Sequence, residues 1–111
     1  MADKIIKISS YSVPIKFLSE DEICKIWEED CPEDDDGFLP LGLCRFIKNG
    51  YQILIRNDLK GHLKSVAIRH EIVEAINNIY DLRLDHQTIT TISEALTQVE
   101  TDNKKALNEI R

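Results

Sequence analysis

Residues 63–80, LKSVAIRHEIVEAINNIY, read as one helix, and the rest of the chain is arranged around it. Ile68, Ile72, Ala75, Ile76 and Ile79 form an apolar stripe at helical spacing, widened by Leu63, Val66, Ala67, Val73 and Tyr80. A helix apolar over so much of its circumference is expected to be covered on more than one side, by a sheet and by another helix. His70 and Glu74 stand four residues apart, one above the other on the same face, where both can ligate a single metal ion. Glu71 lies about 100° further round and could reach a water held by that ion as general base. A carboxylate at the second ligand position adds negative charge to the ion and weakens its pull on bound water.

Working outward, residues 41–47 (LGLCRFI) and 51–56 (YQILIR) read as two strands joined through Lys48-Asn49-Gly50, a hairpin signal. Residues 57–61 (NDLKG) form a turn into the central helix. On the far side, Asp85 is the expected N-cap of a last helix over about 86–110. Ile89, Ile92, Leu96 and Val99 step by three, four and three, a coiled-coil-like seam. Asn103, Ala106 and Ile110 continue it more weakly, so the last turns are expected to fray or to serve a partner. Near the amino terminus, residues 4–8 (KIIKI) and 11–18 (YSVPIKFL) are strand candidates, and Pro14 places the second at an edge or bulge. Ser19-Glu20-Asp21-Glu22 has the capping-box pattern, opening a helix with a buried stripe of Ile23, Ile26 and Trp27 that ends near Glu29 or Asp30.

With 111 residues and 42% hydrophobic content the chain suits one compact domain over residues 1–111. No apolar run of about 18 residues occurs, and MADKIIKISS lacks the features of a secretory signal, so neither a membrane nor secretion is expected. The net charge of −6 argues against a nucleic-acid partner. Seven acids between Glu28 and Asp36 account for the whole of that charge, and residues 28–40 are expected to be a solvated acidic loop. An EF-hand reading of the loop fails because Pro32 and Leu43 occupy its first and twelfth ligand positions. Cys24, Cys31 and Cys44 lack metal-knuckle spacing and read as reduced, cytoplasmic thiols acting as small hydrophobes. His62 reads as a solvated turn residue and Trp27 as core.

The strand, turn and His-Glu helix followed by a leucine-bearing turn and a second amphipathic helix resemble small zincin-like metallopeptidase-type proteins of phages and prophages. These are related in pattern to the gluzincin and ImmA-like group. Residues 42–47, 51–56, 65–80 and 82–103 carry the likeness, with HExxE where the family has HExxH. The resemblance implies an α+β fold: a small, mostly antiparallel sheet packed against a central buried helix and closed by a C-terminal amphipathic helix. It implies zinc as the metal, His70 as first ligand, Glu71 as general base, and Glu74 in place of the second histidine. The family's third ligand is an acid on the following helix. Glu94 has a suitable separation and Thr90 lies one turn earlier, but the apolar seam turns both away from the first helix. His86 is a further option with no motif behind it.

The function expected on these grounds is a degenerate, catalytically impaired zincin-like domain of phage type, with zinc absent or weakly held. An active metal-dependent peptidase using the HExxE helix is one alternative. A small interaction module working through its last helix or acidic loop, with an unknown protein partner, is the other.

Overall fold

The computed structural model describes residues 4–30, 41–48 and 50–110. Of the acidic loop expected over residues 28–40, Glu28, Glu29 and Asp30 instead end the helix α1 (Glu20–Asp30), while residues 31–40, with Cys31, lie outside the described residues. The elements run β1 (Lys4–Ile8), β2 (Tyr11–Leu18), α1 (Glu20–Asp30), β3 (Gly42–Ile47), β4 (Gly50–Arg56), α2 (Gly61–Ile79), α3 (His86–Asp102) and α4 (Lys104–Glu109). The fold is α+β.

The four strands form one sheet in the order β1-β2-β4-β3. Two pairings are antiparallel and the middle one, β2 with β4, is parallel. Ile53, Leu54 and Ile55 are all buried, which marks β4 as a central strand covered on both faces. Ile53 and Ile55 join Val13 and Ile15 in a core shared with Ala67 and Ala75 of α2. Leu54 projects to the other face, where α1 packs on β3 and β4 with Ile23 fully buried. The sheet is therefore sandwiched: α1 covers one face, and α2, backed by α3, the other. Covering α2 on two sides is what its broad apolar circumference requires.

Pro14 corrects one expectation, because β2 is an interior strand. The ladder to β4 starts only at Ile15, so Pro14 pairs with β1 alone and its missing N–H costs no bond to β4. The capping box at α1 forms as expected. Ser19 Oγ accepts from the Glu22 N–H at 3.2 Å, and Glu22 Oε1 accepts from the Ser19 N–H at 3.2 Å. Arg56 then ties the end of β4 to the start of α1, donating to Asp58 at 2.7 Å and to Glu20 at 3.3 Å.

The last helix departs from the sequence reading in two ways. It breaks at Asn103, so residues 86–110 are two helices, α3 and the short α4. It is also rotated. Its buried residues are Ile89, Ser93 and Thr97, while Leu96 and Val99 of the expected seam are nearly half exposed. By the 3.6-residue period the buried face lies about 80° from that seam. Small residues explain the choice, since Ser93 and Thr97 let α3 approach α2 more closely than Leu and Val would. Their hydroxyls are satisfied within the helix: Ser93 Oγ donates to the Ile89 carbonyl at 2.7 Å, and Thr97 Oγ1 to that of Ser93 at 2.8 Å. The pattern of apolar residues alone carries no sign of this.

Among the described residues no helix is long and apolar enough to cross a membrane.

Candidate metal centre at the α2–α3 junction

β3 is the outer strand beside α2, and its hydrogen bonding fixes which of its backbone groups are free. The Arg56 N–H donates to the Leu41 carbonyl at 3.0 Å. In an antiparallel ladder such pairs alternate, so Leu43 and Arg45 bond inward to Leu54 and Gln52. Gly42, Cys44 and Phe46 consequently turn their N–H and carbonyl groups away from β4, to the edge where the described strands end. The Cys44 N–H faces the Glu71 carboxyl group and favours its charged form. Glu71 is only 7% exposed and lies so close to Gly42 that a Cβ there would stand 3.1 Å from Glu71 Cγ and 2.9 Å from the Leu54 carbonyl oxygen. A glycine at the head of β3 is thus what lets the second residue of the His-Glu pair tuck beneath the strand.

His70 and Glu74, half-buried on the next face of α2, are met by His86, the exposed first residue of α3. One ligand-type atom from each of the three lies within 4.8 Å of the others. His70 Nε2 is 3.8 Å from Glu74 Oε1, and the two imidazoles meet edge to face with centroids 5.1 Å apart. The rotation of α3 is the cause. On the helical wheel His86 falls within about 20° of the buried face, Thr90 about 60° away and Glu94 about 100°. Residue 86 therefore reaches the site, whereas residue 94, which had the suitable separation in sequence, is not in the ligand group.

The connection between the helices holds His86 there. The Leu84 N–H donates to Asn77 Oδ1 at 2.9 Å, and the Leu82 N–H to the Asn77 carbonyl at 3.0 Å. Asp85 caps α3 by accepting from the Thr88 N–H at 2.7 Å. Asp81 and Arg83 take positive φ values of 50° and 60°, a conformation that only a tightly bonded turn imposes on such residues.

Burial disfavours the charged forms of both His70 and Glu74. Burial holds the His70 imidazole below its usual value, with the charge of His86 adding to the effect. Burial raises Glu74 against the opposing pull of His86. The 3.8 Å contact between His70 and Glu74 is accordingly not an ion pair, since a pair would move both groups the other way. Glu71 is pushed up to about 8, by burial first and then by the charge of Glu74, despite the Cys44 N–H. Cys44, which also faces the cleft, is pushed up to about 12 by burial and by Glu71 and Glu74, so its thiol stays protonated and is a poor nucleophile.

These groups line one end of a cleft of about 430 Å³. Thr90 and Glu94 line it too, although among the described residues Glu94 is not in the ligand group. Trp27, expected in the core, is half-buried and forms part of the cleft wall. His62 is exposed as expected but lies in the first turn of α2, not in a turn ahead of it.

Two of the three converging groups, His70 and Glu74, were legible as an i, i+4 pair. The third, His86, stood only as an option with no motif behind it, because its position depends on the roll of α3. The run of Ile89, Ser93 and Thr97 at four-residue spacing, continuing back towards His86, is the signal that could have found it. Comparison with protein families, curated proteins and solved structures yields no match to this chain.

Proposed function

We propose that this chain is a divalent-metal hydrolase of zincin-like architecture acting on peptide bonds, with His70, Glu74 and His86 as ligands and Glu71 as general base. The observation that carries the reading is the arrival of His86 beside the HExxE pair. The expectation of an impaired enzyme rested on two losses, the second histidine and a third ligand. His86 makes good the set as a whole: two imidazoles and one carboxylate, the donor set of the thermolysin type with its order changed. The charge around the ion is then the same, and the weakening expected from Glu74 is offset.

The residues fit such an ion. Zinc–ligand bonds of about 2.0–2.1 Å in tetrahedral geometry place ligand atoms about 3.4 Å apart. The 3.8 Å between His70 and Glu74 needs only a small closure to meet that. Neutral imidazoles are the form that binds metal. A bound ion would supply Lewis-acid polarisation of a carbonyl and lower the pKa of water.

The chain's own groups do the rest. Glu71 lies buried against Gly42 of β3, on the side of α2 next to the ligands. Burial raises its pKa and a nearby cation would lower it. The balance leaves a carboxyl group able to take up and release a proton near neutrality. The edge of β3, unpaired by any strand among the described residues, has the amides of Gly42 and Phe46 along it and suits an extended peptide added as a further strand.

Metal titration and peptide hydrolysis, measured on the same variants, test the reading. Glu71→Gln should keep metal affinity and lose hydrolysis by at least about 100-fold. His86→Ala should lose both. Hydrolysis unchanged in Glu71→Gln would contradict the assignment of the base. Stoichiometric metal with no hydrolysis of any peptide would return the chain to the impaired class.

A further inference from the structure

A second cavity, of about 310 Å³, lies between the early turns of α2 and the stretch where α3 passes into α4, and it shares no lining residue with the cleft of the ligand trio. Two polar stripes line it. On α2, Ser65 and Arg69 stand four residues apart. From α3 into α4, Thr97, Thr101, Lys104 and Asn108 step by four, three and four, which keeps them on one face. Stripes that face a neighbouring helix are ordinarily apolar, because burying polar groups costs hydration. Here Leu107 is the one aliphatic side chain in the wall. Thr97 is fully buried, and its hydroxyl already donates to the Ser93 carbonyl.

The charges of the wall do not cancel. Arg69 donates to Glu100, the one acid that lines the cavity. A guanidinium carries five N–H donors, so that bond leaves Arg69 with donors to spare. Among the described residues no acid pairs with Lys104, which comes from the facing helix. Two cations against one acid leave one positive charge in excess, in a chain whose net charge is −6. Ser65, Thr101 and Asn108 add neutral donors around the same space.

We propose that this cavity is a binding site for a phosphate group, with Arg69 and Lys104 as its charged partners. Arg69 supplies the planar fork that suits two phosphate oxygens, and Lys104 a point charge from the other wall. The spread of donors favours phosphate over carboxylate. Cations on facing walls and three neutral donors surround a group with oxygens on every side, whereas a planar carboxylate offers only two. Free phosphate and the phosphate of a small phosphomonoester share this chemistry, and the volume has room for either. The site is independent of the hydrolase reading, since none of His70, Glu71, Glu74 and His86 lines it.

The full chain, kept metal-free so that phosphate has no ion to bind elsewhere, is titrated calorimetrically with inorganic phosphate, glycerol 3-phosphate and acetate. One phosphate-bearing ligand per chain is expected, with Kd at or below about 1 mM, and acetate at least about 10-fold weaker. The tighter of the two phosphate compounds identifies the source. Arg69→Gln and Lys104→Gln should each weaken binding at least about 10-fold. Lys105→Gln, at an exposed neighbour outside the wall, should leave it unchanged. Arg69 also joins α2 to α3 through Glu100, so the exposed Lys104 decides the matter if Arg69→Gln disturbs the fold. No saturable binding of either phosphate compound, or acetate bound as tightly, would overturn the proposal. So would an affinity that Lys104→Gln alters no more than Lys105→Gln does.

Discussion

Glu71 and Gly42 show how a single residue's chemistry is set by its neighbours. A carboxyl group pushed up from 4.5 to about 8 binds a proton in the folded chain that the unfolded chain has already lost. Stability of the metal-free protein should therefore fall as pH rises through that window, because the folded state must either keep the proton or bury a charge. His70, whose pKa is depressed, acts in the opposite direction up to its ordinary value of 6.5, since there the unfolded state holds more protons. Glu71→Gln isolates the first effect. In the presence of a chelator it should raise stability by a few kcal/mol at pH 8 and by little at pH 4. Denaturant titrations of both proteins at the two pH values check this, and an equal difference at both would refute it. At Gly42 the argument is steric. A methyl group would meet the Leu54 carbonyl oxygen at 2.9 Å, backbone that cannot simply rotate away. Gly42→Ala should cost about 1–3 kcal/mol, measured by the same titration.

At the level of elements, the sequence was a good guide wherever local signals act. The capping box at Ser19, the Lys48-Gly50 hairpin and the i, i+3, i+4 stripe of α2 each encode their element within a few residues. The roll of α3 was not legible, because it depends on how closely two helices can approach. The apolar seam of Ile89, Ile92, Leu96 and Val99 offered greater hydrophobic area. Ser93 and Thr97 offered a shorter distance to α2 with no unsatisfied hydroxyl, and that arrangement is the one adopted. Thr97→Leu should push the helices apart, costing about 1–3 kcal/mol and weakening metal binding with it. Asn77 is the other test at this scale, since its side-chain oxygen accepts from the Leu84 amide of the turn that delivers His86. Asn77→Ala should lower metal affinity by about 10- to 100-fold although residue 77 is no ligand. Calorimetric titration of zinc reads both variants, and unaltered affinity in both would show that the turn and the small-residue face do not position the site.

Over the whole molecule, the sheet is covered by α1 on one face and by α2 with α3 on the other, and the cleft opens where β3 ends that sheet. The class of fold could be read from the order of elements. The parallel pairing of β2 with β4 could not, because nothing local distinguishes a strand that pairs with its neighbour in sequence from one that pairs across α1. The candidate site was legible in its HExxE half and hidden in its other half for the same reason: His86 becomes a partner only once two helices are docked. A cation bound at that junction would join α2 to α3. Saturating zinc at a hundredfold excess over its dissociation constant should therefore stabilise the fold by about 2.7 kcal/mol.

Zinc titration of the metal-free protein, followed by calorimetry in the parent chain, His86→Ala and Glu94→Ala, goes to the centre of the account. One ion per chain is expected in the parent and in Glu94→Ala, with affinity reduced on the order of 100-fold or more in His86→Ala. No stoichiometric binding in the parent, or binding that ignores His86 and is lost with Glu94, would contradict it.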